Sequence, residues 1–140
     1  MTNLQEKPAT ILLAEDNKFL RKAAEAALRG HGFTVLAATD GEEALKLAQS
    51  MHSAPDLVLL DIVMPKLNGF DVLRLLKGDP VTSHIPVIVL SNLEQQNDVL
   101  TARELGAAGY WVKATVGLDE LVERVQSLLA ERANQEITRE

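Results

Sequence analysis

The sequence has no cysteine among its 140 residues. That removes disulfides, zinc–thiolate sites and thiol nucleophiles together, and it is compatible with a reducing cytoplasm, the location expected here. No apolar run approaches the ~18 residues that a membrane-spanning helix needs. The opening MTNLQEKPAT has no apolar signal-peptide core. There is no Lys/Arg-rich block, and the net charge is −6. Direct binding of nucleic acid needs a basic face to neutralise phosphates, so it is not expected. The acidic excess suits a protein that holds a cation. What remains is a chain 46% hydrophobic, enough for one packed domain of common size.

The apolar pattern alternates between two periods. TILLA (10–14), FTVLAA (33–38), DLVLLD (56–61), IPVIVLS (85–91) and GYWV (109–112) are short, nearly continuous apolar runs, as in strands buried on both faces. Between them lie helical stretches. Leu20, Ala23, Ala24, Ala27 and Leu28 fall at helix spacing, with Gly30 and Gly32 as a stop. DGEEALKLAQ opens on Asp40 as N-cap, with Glu43 three residues on. NGFDVLRLLKGD (68–79) places Phe70, Leu73 and Leu76 on one face, and QQNDVLTAREL (95–105) is more polar. A last helix is expected from Leu118 to Arg132, with Leu118, Leu121, Val122, Val125, Leu128 and Leu129 as its stripe. Strands alternating with helices imply an α/β domain with a parallel, doubly wound sheet. The expected division is an N-terminal extension (1–9), the domain (10–132) and a polar tail (133–140) that frays.

In such a sheet, ligands bind beyond the carboxyl ends of the strands. The first strand runs into Glu15 and Asp16, the third into Asp61, the fourth into Ser91 and the fifth into Lys113. Clustered carboxylates repel, and a divalent cation is the simplest remedy. Oxygen donors without imidazole or thiolate suit a hard ion such as Mg²⁺. A lysine and a hydroxyl suit phosphate oxygens, and a carboxylate there can act as a nucleophile, with Asp61 the natural choice.

The stretches LLAEDN (12–17), LVLLDIVMPKLNGFDVL (57–73), PVIVLS (86–91) and GAAGYWVKA (106–114), with Asp-x-x-Met-Pro-x-x-x-Gly after a buried strand, resemble the receiver domain of two-component response regulators, of the chemotaxis single-domain type. The resemblance runs from about Thr10 to Arg132. It implies a flavodoxin-like five-stranded parallel sheet of order 2-1-3-4-5 with five helices. It implies Asp61 as phosphoacceptor, and Mg²⁺ held by Glu15, Asp16, Asp61 and the backbone carbonyl of Val63. Ser91 and Lys113 would bind the phosphoryl group, and Tyr110 would be the aromatic switch coupled to Ser91. The donor would be a phosphohistidine on a sensor histidine kinase or phosphotransfer protein. The receiver would catalyse its own phosphorylation and dephosphorylation without being an enzyme in the usual sense. The readout would be the face of the fourth helix, fifth strand and last helix, where Gln95, Gln96 and Arg103 could meet a partner or a second copy.

Each residue also has an ordinary reading. Asp16 could cap the first helix, Asp61 could be a turn residue, and Ser91 could cap the next helix. Lys113 could guard an edge strand, and Tyr110 and Trp111 could be β-formers on opposite faces. His31, His52 and His84 have no ligand pattern and are read as surface residues. Two departures from the family stand out. The family usually has proline after the lysine, often with a cis bond, and here that residue is Ala114. Val63 and Leu93, each two past a site residue, are apolar and could not orient a hydrolytic water; slow self-dephosphorylation is expected. Three rivals remain: a pseudo-receiver scaffold working unphosphorylated, an Asp-nucleophile phosphatase of haloacid-dehalogenase type, and a flavin or nucleotide binder. The phosphatase would want a second Asp where Val63 stands, and neither G-x-x-x-x-G-K-[ST] nor G-x-G-x-x-G occurs. Few residues follow the last expected helix, so the chain is either a stand-alone regulator or part of a longer one.

Overall fold

The computed structural model describes residues 8–50, 54–92 and 96–138. Leu93, Gln95 and His52 lie outside the described residues, as does most of the expected N-terminal extension. Five strands alternate with five helices: β1 (Thr10–Ala14), α1 (Lys18–Gly30), β2 (Thr34–Ala38), α2 (Gly41–Ala48), β3 (Leu57–Leu60), α3 (Gly69–Gly78), β4 (Val87–Ser91), α4 (Gln96–Glu104), β5 (Gly109–Val112) and α5 (Leu118–Thr138). The strands form one parallel sheet in the order β2-β1-β3-β4-β5, the flavodoxin-like arrangement expected.

The continuous apolar runs follow from burial on both faces. Side chains alternate across a strand, so Leu12, Ala14, Val58, Leu60, Val87 and Val89 enter one cluster with Ala44, Val72, Leu73, Leu76 and Ala102 of α2, α3 and α4. The intervening Ile11, Leu13, Leu57, Leu59 and Ile88 meet Ala24, Leu28, Leu121, Val122 and Val125 of α1 and α5 on the other side. Each fully buried Leu, Ile or Val adds roughly 1.5–3 kcal/mol relative to exposure, so neither face can be left open. Tyr110 packs with the first cluster and Trp111 with the second, as the alternation requires.

The helices differ from expectation in several respects. The N-cap of α1 is Asn17, whose Oδ1 accepts from the Leu20 N–H at 3.0 Å; Asp16 does not cap it. Leu20 and Ala23, expected in the buried stripe, are exposed, and only Ala24 and Leu28 are buried. Ala23 is turned about 100° from its buried neighbour Ala24 and so off the covered stripe, while Leu20 stands in the first turn of the helix. Leu118 is likewise exposed at the first turn of α5. That helix continues past Arg132 to Thr138, because ANQEIT contains neither glycine nor proline to stop it. At α2, Asp40 accepts from the Glu43 N–H at 2.8 Å, while the Glu43 carboxylate accepts from the Thr39 N–H at 2.8 Å. The expected capping box is thus closed one residue early.

The loop leaving β3 is pressed back on the sheet. The Gly69 N–H donates to the Ile62 carbonyl at 2.7 Å. A Cβ at Gly69 would lie 2.2 Å from the Asp61 carbonyl oxygen, and one at Gly41 would lie 2.0 Å from that of Leu67. Both contacts are with backbone, which cannot swing aside. Gly69→Ala is expected to lower stability by about 3 kcal/mol in urea melts. Gly78→Ala, whose added methyl meets nothing within 4 Å, should be neutral or stabilising by up to about 1 kcal/mol. Equal losses at both positions would refute this packing account.

Candidate functional site

Strand register brings the expected residues together. Ala14 pairs with Leu60, and the Asp61 N–H donates to the Ala14 carbonyl at 3.1 Å. Glu15 and Asp61 therefore leave neighbouring strands side by side. Leu60 pairs with Val89, and Ser91 pairs with Val112, so Ser91 and Lys113 stand at the same edge. Carboxylate oxygens of Glu15, Asp16 and Asp61 lie within 4.8 Å of one another. Glu15, Asp61 and Ser91 are buried, whereas Asp16 is exposed.

Lys113 turns inward. Its Nζ is 3.0 Å from Asp61 Oδ2 and also pairs with Glu15 Oε1. The side chains are 15%, 8% and 6% exposed for Lys113, Asp61 and Glu15, so the gatekeeper reading fails: the ammonium faces the site. The Lys113–Ala114 peptide is trans. The chain continues as a single 3₁₀ turn, Lys113–Thr115.

Other residues, not foreseen from the sequence, fix the acidic loop. The Arg21 guanidinium donates to the carbonyls of Glu15 at 3.0 Å and Asp16 at 3.3 Å. The Asn17 N–H donates to Glu15 Oε2 at 3.0 Å. On the far side, the Val63 N–H reaches Asp61 Oδ1 at 3.4 Å, and Asn92 Oδ1 accepts from the Ala114 N–H at 2.8 Å. An arginine one turn into a helix is an ordinary surface residue by pattern, so its backbone contacts left no mark in the spacing. Exposed apolar side chains flank the site: Leu20 and Leu118 line a hollow with Glu15 and Lys113, Val63 is exposed on the loop that leaves β3, and Phe19 is exposed in the first turn of α1. Tyr110 is half-buried beside a cavity of about 90 Å³ lined also by Val99, Ala102 and Arg103. Period-two alternation places Ser91 and Tyr110 on the same face of the sheet.

The electrostatics are unbalanced. Burial pushes the Asp61 carboxyl above the usual carboxylate range; the hydrogen bond and charge of Lys113 oppose this, and the charge of Glu15 adds to it. For Lys113, burial alone would lower the ammonium, but hydrogen bonds to Glu15 and Asp61 and their charges outweigh it and hold it above the ordinary lysine range. One ammonium thus serves two buried carboxylates, with Asp16 beside them. An all-oxygen donor set with excess negative charge fits a hard divalent cation such as Mg²⁺.

The signs of the pH effects follow from linkage. Folded Asp61 holds its proton more tightly than the unfolded chain does. Its contribution is therefore most favourable at low pH and declines as pH rises from the ordinary carboxylate range through the raised folded value. Folded Lys113 also binds its proton more tightly, so its contribution is full below the ordinary lysine range and lost as pH rises above it. In metal-free buffer at pH 7, Asp61→Asn should melt at a higher temperature than the wild type, and the gap should narrow toward pH 4. Lys113→Ala should lose about 2 kcal/mol, less than for a fully buried pair because the Lys113 side chain is itself partly exposed. A lower melting temperature for Asp61→Asn at pH 7 would contradict this assignment of charge.

Comparison with known proteins agrees with this layout. The model of the response regulator receiver domain matches residues 11–126. The gliding motility regulatory protein of Myxococcus xanthus is 37% identical over 122 residues, which are 87% of this chain and 15% of that protein. Protein PilH of Pseudomonas aeruginosa is 38% identical over 122 residues, covering 87% of this chain and 98% of its own. The chain spans half or less of the length of the first curated relatives it matches. Among solved structures, the Vibrio cholerae chemotaxis protein CheY4 superposes with a TM-score of 0.78 at 25% identity, covering 86% of this chain and 98% of its own. The chain belongs to the response regulator receiver domain family, the phosphoacceptor signalling modules of two-component systems.

Proposed function

We propose that Asp61 accepts a phosphoryl group from a phosphohistidine on a sensor kinase or phosphotransfer protein, within a receiver unit spanning about residues 10–132. The observation that carries this reading is the Lys113 ammonium held between Asp61 and Glu15 at the sheet's carboxyl edge. A carboxylate oxygen of Asp61 attacks phosphorus; the P–N bond breaks as the P–O bond forms, and the electron pair returns to the imidazole. Lys113 then exchanges one carboxylate partner for phosphoryl oxygens, and the Ser91 hydroxyl donates to another of them. Glu15, Asp16, Asp61 and the Val63 carbonyl would hold Mg²⁺, which when bound neutralises charge on the phosphoryl oxygens. The donor protein would settle against Leu20 and Leu118, which are exposed and line a hollow with Glu15 and Lys113.

The new group adds a charge of about −1.5 to −2. Ser91 and Tyr110 share a sheet face, so a shift of Ser91 toward the phosphoryl group frees room that the Tyr110 ring can take. The surface that changes is that of α4, β5 and α5, where Gln96 and Arg103 are exposed and could meet a partner or a second copy; Gln95 lies outside the described residues. Among the described residues no helix is long and apolar enough to cross a membrane, which agrees with the proposed cytoplasmic setting. The pseudo-receiver alternative shares the fold but has no use for Lys113 between two carboxylates. The phosphatase alternative still meets Val63, exposed and apolar, where its acid would stand.

Incubation with Mg²⁺ and acetyl phosphate should add the mass of one phosphoryl group to the wild type and none to Asp61→Ala. Equal modification of both would sink the proposal. Decay of the phosphorylated form should be slow, because Val63 and Leu93 cannot orient water. Replacing both with Asn and Glu should speed it by about tenfold or more, read as loss of the added mass with time; unchanged decay would remove these two positions from rate control.

A further inference from the structure

We propose that Asn92 is a positioning residue for Lys113, acting through the peptide that joins Lys113 to Ala114. The inference rests on the phosphoacceptor reading for its consequence, though not for its geometry. The β4–β5 ladder ends at the Ser91–Val112 pair. One residue further, Asn92 Oδ1 accepts from the Ala114 N–H at 2.8 Å. This side-chain bond continues the tie between the two strand ends after regular pairing has stopped.

The Ala114 nitrogen lies in the same rigid plane as the carbonyl and Cα of Lys113. Fixing that N–H fixes the plane from which the lysine stem departs. The opposite edge of the plane is held as well: the Lys113 carbonyl accepts from the Val116 N–H at 3.3 Å. The Thr115 hydroxyl donates to the Val112 carbonyl at 3.0 Å, which closes the turn. A lysine stem is long and flexible. Its ammonium can stay between Glu15 and Asp61 only if its root is still.

Residue 114 matters for the same reason. Proline has no N–H, so the bond to Asn92 is open to this chain only because residue 114 is not proline. Asn92 and Ala114 act as a matched pair: one supplies the acceptor and the other keeps the donor. Asn92 also directly follows Ser91, so a single bond couples the two strand ends that carry the proposed phosphoryl-binding groups. Both partners are exposed; the bond adds little to the core and acts mainly on orientation.

Two measurements on the intact chain test this. The first follows solvent exchange of the Lys113 ammonium protons by ¹⁵N NMR in metal-free buffer, and it needs no phosphorylation. The second is the rate of phosphorylation by acetyl phosphate with Mg²⁺. Asn92→Ala should speed ammonium exchange and lower the phosphorylation rate about three- to tenfold, with little change in melting temperature. Asn92→Asp, which keeps the acceptor, should retain slow exchange. In a Lys113→Ala background, Asn92→Ala should lower the rate no further. Unchanged ammonium exchange in Asn92→Ala, or an equal rate loss with and without Lys113, would overturn the proposal. If the wild type takes up no phosphoryl group while ammonium exchange responds as expected, the phosphoacceptor reading falls and the positioning role stands.

Discussion

Two carboxylates leave adjacent parallel strands side by side, and one ammonium stands between them. The rest of the site is arranged around this contact. Glu15 and Asp61 cannot separate, because the β1–β3 ladder runs up to them. They cannot be fully hydrated, because both are buried. Lys113 offsets one charge but not two, and Asp16 adds a third. The protein is thus folded with an electrostatic deficit that a cation or a rearrangement can relieve. Such a site trades stability for responsiveness, which suits a switch better than a scaffold.

Much of this was legible in the sequence, for identifiable reasons. Strands buried on both faces need unbroken apolar runs, so TILLA, LVLL and VIVLS announced themselves. Short connections left little freedom in where the polar residues at their ends could go, so Glu15, Asp16, Asp61, Ser91 and Lys113 could be named before any coordinates. The strand order came from family resemblance, since a run of apolar residues does not say which neighbour it will take.

What the sequence did not show is mostly side chain to backbone. Arg21, Asn17 and Asn92 hold the site through peptide groups, and such bonds leave no periodic trace. Leu20 had the right spacing for a core position but stands too close to the helix start to be covered. The peptide before Ala114 has the trans geometry ordinary for a non-proline residue, where the family pattern pointed the other way. The length of α5 is hard to read because polar composition suits a fraying tail and a solvent-facing helix alike, and this segment holds no breaker.

The alternation of side chains along β5 has a consequence for observation. The chain has one tyrosine and one tryptophan, and they are consecutive. Tyr110 looks toward α4 on the same sheet face as Ser91, while Trp111 packs among the residues of α1 and α5, with the Arg124 guanidinium 5.3 Å from its ring. The molecule therefore carries two native chromophores, one for each side of its sheet. Emission of the indole, excited at the red edge where the phenol does not absorb, reports on the α1 and α5 side alone, so a structural change on that side can be read in solution without attaching a label.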